Sequence, residues 1–277
     1  MRIFSIYKDF FRFLENIGQG SKKWGCYNSL YYEPHHRFLE IYFSRFPLLD
    51  SSGLKARVES VKASDYSLLK GLIGTCPPEE IVEDAYKRAM ELVPPPQEPD
   101  VYLLVGFFSP DGFVLDLGGK PVICFGLERF KDFRSLKILF SHEYAHFLMN
   151  LSEEAIPEQN DIKWMLISEG IATYFSFLCF PDRPLFEHLF FSRDVFNWCQ
   201  EHEADLKEIF LSKNFSDKEL ESIYAKGDPD KNFPPRSGKY LGFQAVKRYL
   251  AQQGAHKIRS LLLDSNLALT SLFYSYI

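Results

Sequence analysis

No two cysteines of this sequence stand in a C-x-x-C arrangement. Its 277 residues contain five cysteines, which are Cys26, Cys76, Cys124, Cys179 and Cys199. An odd number without such a pair argues against a disulfide framework and against a cysteine-ligated zinc site. We therefore expect reduced, mostly buried thiols, as in a cytoplasmic protein.

A long apolar run is also missing. The longest uncharged stretch near the middle of the chain, from Gly170 to Pro181, is shorter than the roughly 20 residues that cross a bilayer. At the N-terminus, Arg2, Lys8 and Asp9 interrupt what would be the apolar segment of a secretory signal. These absences predict a cytoplasmic protein with no membrane partner.

The sequence has no excess of positive charge, since its formal net charge is −5. That balance argues against nucleic acid and anionic membranes as partners. Hydrophobic residues make up 46% of the chain, and 27 Phe and 15 Tyr are among them. We expect these aromatic side chains to fill a large core, with exposed peptide-binding patches as the alternative.

Apolar residues recur at helical spacing through most of the first hundred residues. The predicted helices are 3–17, 34–46, 54–72 and 81–93. The proline-rich residues 94–99 are typical of a stiff linker with polyproline character. We therefore predict a helical N-terminal region of residues 1–96 and a second domain of residues 97–277.

Beyond this linker the pattern changes to short apolar runs separated by turn residues. Residues 101–108, 113–117 and 121–125 are the predicted strands of an antiparallel meander. Residues 122–126 are the candidate for a free edge that could bind an extended peptide, although a plain structural strand fits equally well.

Helices are predicted again after this meander. They cover residues 134–149, 162–180, 185–203, 204–212, 216–225, 239–252 and 255–263. The predicted fold class is α+β. It is mainly helical, with a small antiparallel sheet packed against the helix of residues 134–149.

That helix contains His142-Glu143-Tyr144-Ala145-His146, which is the pattern H-E-x-x-H. Residues four apart lie about 40° apart in helical projection, so both imidazoles can reach one metal ion. Glu143 lies about 100° from His142, where its carboxylate can take a proton from bound water. This is the arrangement that a zinc hydrolase needs.

The surroundings of the motif favour a metal site over the alternative, two solvated histidines on a surface helix. No Gly or Pro occurs between Arg134 and Met149, and apolar residues flank the motif on both sides. Three ionisable residues within five positions of a buried helix are costly without a shared partner.

A catalytic zinc usually takes three protein ligands. One class of H-E-x-x-H proteins takes the third from a histidine six residues after the second, but Ser152 occupies that place here. Another class uses a glutamate on a later helix. Glu169 follows His146 by 23 residues in an apolar helical segment and is the leading candidate. The alternatives lie in the polar loop before that helix, and they are Glu153, Glu154 and Glu158.

The H-E-x-x-H motif followed by Ser168-Glu169-Gly170-Ile171-Ala172 resembles the gluzincin branch of zinc peptidases, which have a thermolysin-like catalytic core. More narrowly, the sequence resembles the DUF2268 family of predicted zinc-dependent proteases, over roughly residues 101–250. The resemblance implies Zn²⁺ as the cofactor and His142, His146 and Glu169 as its ligands. It implies Glu143 as the general base.

Two positions follow from comparison with the gluzincin pattern. Tyr240 looks like the counterpart of the residue that stabilises the oxyanion, with one more core tyrosine as the alternative. Gly242, two residues later, would let its helix pack closely. Thr173 stands where the thermolysin pattern has an acidic residue that braces a ligand histidine, so that partner must come from elsewhere.

The function implied by this resemblance is hydrolysis of peptide bonds, with a peptide or protein as the substrate. Two other classes stay open on the sequence alone. One is a non-catalytic metal-binding or regulatory protein on a similar fold, and the other is a helical interaction protein with a fortuitous motif. The sequence does not indicate an oligomeric state.

Overall fold

The computed structural model describes residues 1–17, 22–46, 50–107, 110–151, 161–212, 215–229 and 232–276. The chain divides into two compact units, of which unit 1 is Met1–Asp84 with Gln97–Lys137 and unit 2 is Ala85–Pro96 with Ile138–Ile277. Helices dominate the described residues and one small mixed sheet accompanies them, so the α+β class is confirmed. The division at residues 96 and 97 into two domains stays a prediction.

The first hundred residues are mainly helical, as predicted. The predicted helix 54–72 is interrupted, because Val61 takes an extended conformation with ψ 134° and ends the first of two α-helices. The segments are α1 Tyr7–Ile17, α2 Lys23–Tyr27, a π-helical turn Asn28–Tyr32, α3 His36–Ser44, α4 Ser51–Ser60, α5 Ser67–Thr75 and α6 Pro78–Leu92.

The N-terminal residues form a strand, β1 (Arg2–Phe4), where the apolar spacing predicted a helix from residue 3. β1 pairs in parallel with β2 (Asp100–Leu104), with Ile3 opposite Val101. The Arg2 guanidinium also pairs with the Asp100 carboxylate at 2.7 Å. A pairing between segments almost one hundred residues apart thus outweighs the local helical pattern.

The sheet has the order β1-β2-β4-β3, where β3 is Gly112–Asp116 and β4 is Pro121–Gly126. β3 and β4 form the predicted antiparallel hairpin, whose turn contains Gly118 and Gly119 at φ 67° and 83°. The predicted antiparallel meander is wrong, because β2 pairs with β4 in parallel. The prediction of a free edge at residues 122–126 is wrong for the same reason, since β4 has a partner on each side.

Aromatic side chains fill the core of unit 1. The ring of Phe10 lies 5.4 Å from that of Tyr31 and 5.8 Å from that of Phe107, both edge-on. The Tyr31 hydroxyl donates to the Val105 carbonyl oxygen at 2.9 Å, so its polar end is satisfied inside the core. The many Phe and Tyr of the sequence therefore act as core filling, as predicted.

Unit 2 is built from helices. The predicted helix 185–203 is broken at Phe190, which has a φ of 57° that no helix contains. The helices are α7 Leu136–Asn150, α8 Ile162–Cys179, α9 Leu185–His188, α10 Arg193–Glu201, α11 Glu203–Leu211, α12 Asp217–Lys226, α13 Gly238–Gln253, α14 Ile258–Leu263 and α15 Ser265–Tyr276. None of the described helices is long and apolar enough to cross a membrane.

Candidate metal centre

Helix α7 carries the whole H-E-x-x-H motif in its interior. Phe140, Ala145 and Leu148 are fully buried around it, so the helix has apolar neighbours on several sides. His142 is 2% exposed, and the Nε2 atoms of His142 and His146 face each other at 3.2 Å. The two imidazoles therefore converge on one point, as the spacing predicted.

Helix α8 supplies the carboxylate of Glu169 to the same point. Its Oε2 atom lies 3.3 Å from His142 Nε2, and its Oε1 atom lies 3.6 Å from His146 Nε2. One donor atom from each of the three residues lies within 4.8 Å of the others. The structure thus brings the three predicted ligands His142, His146 and Glu169 together in one cluster. The alternatives Glu153, Glu154 and Glu158 lie outside the described residues.

The spacing of these donor atoms can be compared with that of a zinc site. Ligand atoms at about 2.0–2.1 Å from a tetrahedral zinc ion are about 3.3 Å apart. The observed separations of 3.2, 3.3 and 3.6 Å are close to that value. Two imidazole nitrogens and one carboxylate oxygen are also a donor set that zinc prefers. The residues present therefore fit a zinc ion.

Burial and neighbouring charge shift the pKa values of the two histidines in opposite directions. Burial lowers the pKa of His142 to about 3, although Glu169 acts to raise it. Burial also acts to lower the pKa of His146, but the hydrogen bond and charge of Glu169 outweigh it and the pKa is raised. A metal ion at this point would compete with the proton on His146.

Glu143 is 7% exposed beside the cluster and has a different environment from Glu169. Burial raises the pKa of Glu143 to about 7, while the charge of His146 acts to lower it. For Glu169, burial acts to raise the pKa, but the Lys239 ammonium and the two histidines hold it well below its usual range. One carboxylate is therefore held ionised, and the other can exchange a proton near neutral pH.

Lys239 is a charged residue beside the cluster that the sequence analysis did not predict there. Its ammonium Nζ lies 2.5 Å from Glu169 Oε2, and its side chain is 8% exposed. The residue belongs to the first turn of α13, one position before Tyr240. A lysine is normally solvated, so its residue type gave no signal; only the packing of α13 on α8 reveals it.

The described contacts of Tyr240 are with residues other than the predicted metal ligands. Its ring packs against Phe196 at 6.1 Å, and its hydroxyl is hydrogen-bonded by the Gln244 side chain. The charges that act on this hydroxyl are those of Glu203 and Arg248. The catalytic role of Tyr240 stays a prediction, since its described contacts do not include the cluster.

Among the described residues, no group braces the predicted ligand His142. His142 Nδ1 is buried and has no hydrogen-bonding partner among the described residues, and the same holds for the Thr173 hydroxyl. Ligand histidines normally donate from the second nitrogen to a carboxylate or carbonyl group. No described side chain therefore takes the place of the acidic residue that the thermolysin pattern has at the position of Thr173.

Phe190 covers one side of the cluster. Its ring lies 5.3 Å from the His142 ring, edge-on, and 5.6 Å from the Lys239 ammonium. Phe190 is 39% exposed and has a left-handed φ of 57°. A bulky residue rarely takes this conformation, and such strain is concentrated at functional sites. Phe190 supplies an apolar wall that reaches from the cluster to solvent.

A family model described as "Predicted Zn-dependent protease (DUF2268)" matches residues 81–268. The match covers about two thirds of the chain and includes every residue of the cluster. No curated protein and no solved structure gives a significant match. The chain therefore belongs to the DUF2268 family of predicted zinc-dependent proteases.

Proposed function

We propose that the protein is a zinc-dependent peptidase of the gluzincin type, with His142, His146 and Glu169 as zinc ligands. The observation that carries the proposal is the convergence of these donor atoms within 4.8 Å, with Glu143 buried beside them. The third ligand is a glutamate on a second helix, which is the gluzincin arrangement. The family match supports zinc as the ion and a peptide or protein as the substrate.

The chain's own groups can carry the proton transfers of hydrolysis. A zinc ion held by the three ligands would lower the pKa of a coordinated water to about 7 and polarise a carbonyl group. Glu143 lies on the same helix as the two histidines but is not among the three converging donors. Its carboxylate accepts a proton from the attacking water and returns it to the leaving amine.

Two finer parts of the proposal follow from the resemblance to gluzincins. They are a thermolysin-like catalytic core and Tyr240 as a second group that stabilises the oxyanion. A cytoplasmic location is supported by the cysteines, since none of the five forms a disulfide.

Metal analysis of protein purified without added metal tests the zinc site, and about one zinc per chain is expected. Hydrolysis of a mixed peptide library then tests the activity. Glu143→Gln is expected to lower kcat by about 10²–10⁴ while zinc content stays the same. The matched control is Glu201→Gln, which changes an exposed glutamate of α10 and should retain full activity.

The same experiment separates the peptidase from a non-catalytic metal-binding or regulatory protein. Zinc at full stoichiometry without cleavage of any library peptide would favour the binding protein. Cleavage that is equally fast with Glu143→Gln would show that the general-base assignment is wrong. A chain without zinc would point to a helical interaction protein with a fortuitous motif.

A further inference from the structure

Lys239 is a buried cation next to a site that fits a doubly charged cation. Its side chain is 8% exposed, and its ammonium forms an ion pair with the Glu169 carboxylate. A buried lysine is costly unless a negative group compensates it. Its position next to a divalent metal adds electrostatic repulsion. Because burial of the charge and repulsion from the metal both disfavour a lysine here, we expect Lys239 to have a functional role.

Two features of the packing fix the position of the ammonium. Helices α8 and α13 approach so closely at Gly170 and Gly242 that a Cβ on Gly170 would lie 2.2 Å from the Gly242 carbonyl carbon. Lys239 is three residues before Gly242, at the same crossing. The Phe190 ring lies 5.6 Å from Nζ. The ammonium therefore has an aromatic ring and one carboxylate oxygen as neighbours.

The two oxygens of Glu169 have different partners. Oε2 lies 2.5 Å from the ammonium in an ion pair and 3.3 Å from His142 Nε2, although it has no well-aligned hydrogen bond. Oε1 lies 3.6 Å from His146 Nε2, within the spacing of a tetrahedral site. A carboxylate can bind a metal through one oxygen or through both. Binding through both would occupy the coordination position that a catalytic zinc keeps open.

We propose that Lys239 is a positioning residue that holds Oε2 of Glu169 and so keeps this glutamate a one-oxygen metal ligand. The proposal rests on the proposed zinc site. Lys239 lowers the affinity for the metal, because its charge repels the ion and competes for the carboxylate. In return, the fourth coordination position stays free for water and substrate.

This role has a signature that a structural role lacks. Loss of a purely structural contact would weaken zinc binding and activity together. Loss of Lys239 should instead tighten zinc binding, because the repulsion disappears and both oxygens of Glu169 become available. Activity should fall at the same time. A substrate-binding lysine would differ again, since its loss would lower activity without a change in zinc affinity.

The test compares Lys239→Met with Lys239→Arg and with Lys247→Met. Met has a similar length without charge, Arg keeps the charge, and Lys247 is an exposed lysine of the same helix. Zinc affinity is measured by competition with a chromophoric chelator at one fixed, mildly alkaline pH. The Co²⁺-substituted proteins are compared by visible absorption, which reports the coordination number of the ion.

Lys239→Met is expected to bind zinc about tenfold more tightly and to hydrolyse peptides at least about tenfold more slowly. Its Co²⁺ spectrum should shift towards a higher coordination number. Lys239→Arg and Lys247→Met should resemble the parent in zinc affinity and in the Co²⁺ spectrum. Unchanged or weaker zinc binding by Lys239→Met would overturn the proposal.

If Lys239→Met does not fold without zinc, Lys239→Gln replaces it in the same competition, and tighter binding is again expected. Unchanged or weaker zinc binding by this variant overturns the proposal in the same way. The zinc measurements need no substrate, so the two proposals can fail separately. A parent that binds no zinc refutes the proposed function. A parent that binds zinc, with no tightening in the variant, refutes the role of Lys239 alone.

Discussion

Gly170 of α8 and Gly242 of α13 meet with their backbones in contact. A Cβ on Gly242 would lie 1.9 Å from the Leu166 carbonyl oxygen, far inside the roughly 3.5–4 Å of normal contact. No other residue fits at either position while the helices keep this separation. The crossing brings the first turn of α13 within reach of Glu169, as the sequence prediction of close packing at Gly242 anticipated.

Gly242→Ala is therefore expected to push α13 away from α8. Overpacking in a core typically costs about 1–3 kcal/mol, and we expect a loss of unfolding free energy in this range. The displacement should also separate Lys239 from Glu169 and change zinc affinity. Urea unfolding with and without zinc measures both effects.

Gly71→Ala provides the matched control in another helix. A Cβ at Gly71 of α5 would have no neighbour within 4 Å, and alanine has a higher helix propensity than glycine. This variant should be as stable as the parent or more stable. If Gly242→Ala is equally well tolerated, the close approach does not constrain the crossing.

Alanine variants of Glu169 and of the loop glutamates distinguish the candidates for the third zinc ligand. Glu169→Ala is expected to reduce zinc from about one per chain to a small fraction after dialysis, because one of three protein ligands is removed. Alanine at Glu153, Glu154 or Glu158 should leave the zinc content unchanged. Metal analysis by mass spectrometry measures the zinc content of each variant. Loss of zinc from a loop variant would assign the third ligand to that loop residue instead.

The local sequence signals located the elements that carry the ligands. The predicted helix 162–180 is α8 (Ile162–Cys179) almost residue for residue, because its apolar run and its end before Pro181 are both local features. The H-E-x-x-H spacing by itself specifies that both imidazoles share a helix face. For these residues, the sequence was sufficient to predict the cluster.

Contacts between distant segments were not predictable in the same way. β1 depends on pairing with β2 almost one hundred residues later, and β4 becomes central only because β2 joins it in parallel. Lys239 becomes part of the cluster through the α8–α13 crossing. Sequence patterns describe faces and periods within an element, and they do not specify which elements meet.

Tyr240 is the proposed second group that stabilises the oxyanion. Loss of its hydroxyl in Tyr240→Phe is therefore expected to lower kcat by about 10²–10³ while the zinc content stays the same. Steady-state kinetics on one cleaved peptide, with zinc content measured in parallel, provides the test. A kcat close to that of the parent would show that this hydroxyl, which is hydrogen-bonded by the Gln244 side chain, does not stabilise the oxyanion.

His188 gives the fold a pH dependence that is separate from the metal centre. It is the last residue of α9 and is fully buried, with Nε2 3.2 Å from the Phe180 carbonyl oxygen and Nδ1 3.0 Å from the Ser176 hydroxyl of α8. A carbonyl oxygen only accepts, so Nε2 carries the proton, while the Ser176 hydroxyl donates to the Thr173 carbonyl oxygen at 2.8 Å. Burial lowers the pKa of His188 to about 4.

The unfolded chain has a histidine pKa of about 6.5, so acid favours unfolding at this residue. The stabilising contribution of neutral His188 is complete above about pH 6.5 and is lost as the pH falls through about 4. A shift of this size corresponds to about 3 kcal/mol at most. Urea unfolding in the presence of chelator, for the parent and for His188→Gln, should show the parent losing more stability over this range. The exposed His256→Gln variant should follow the parent, and parallel profiles for the parent and His188→Gln would show that His188 does not remain neutral in the fold.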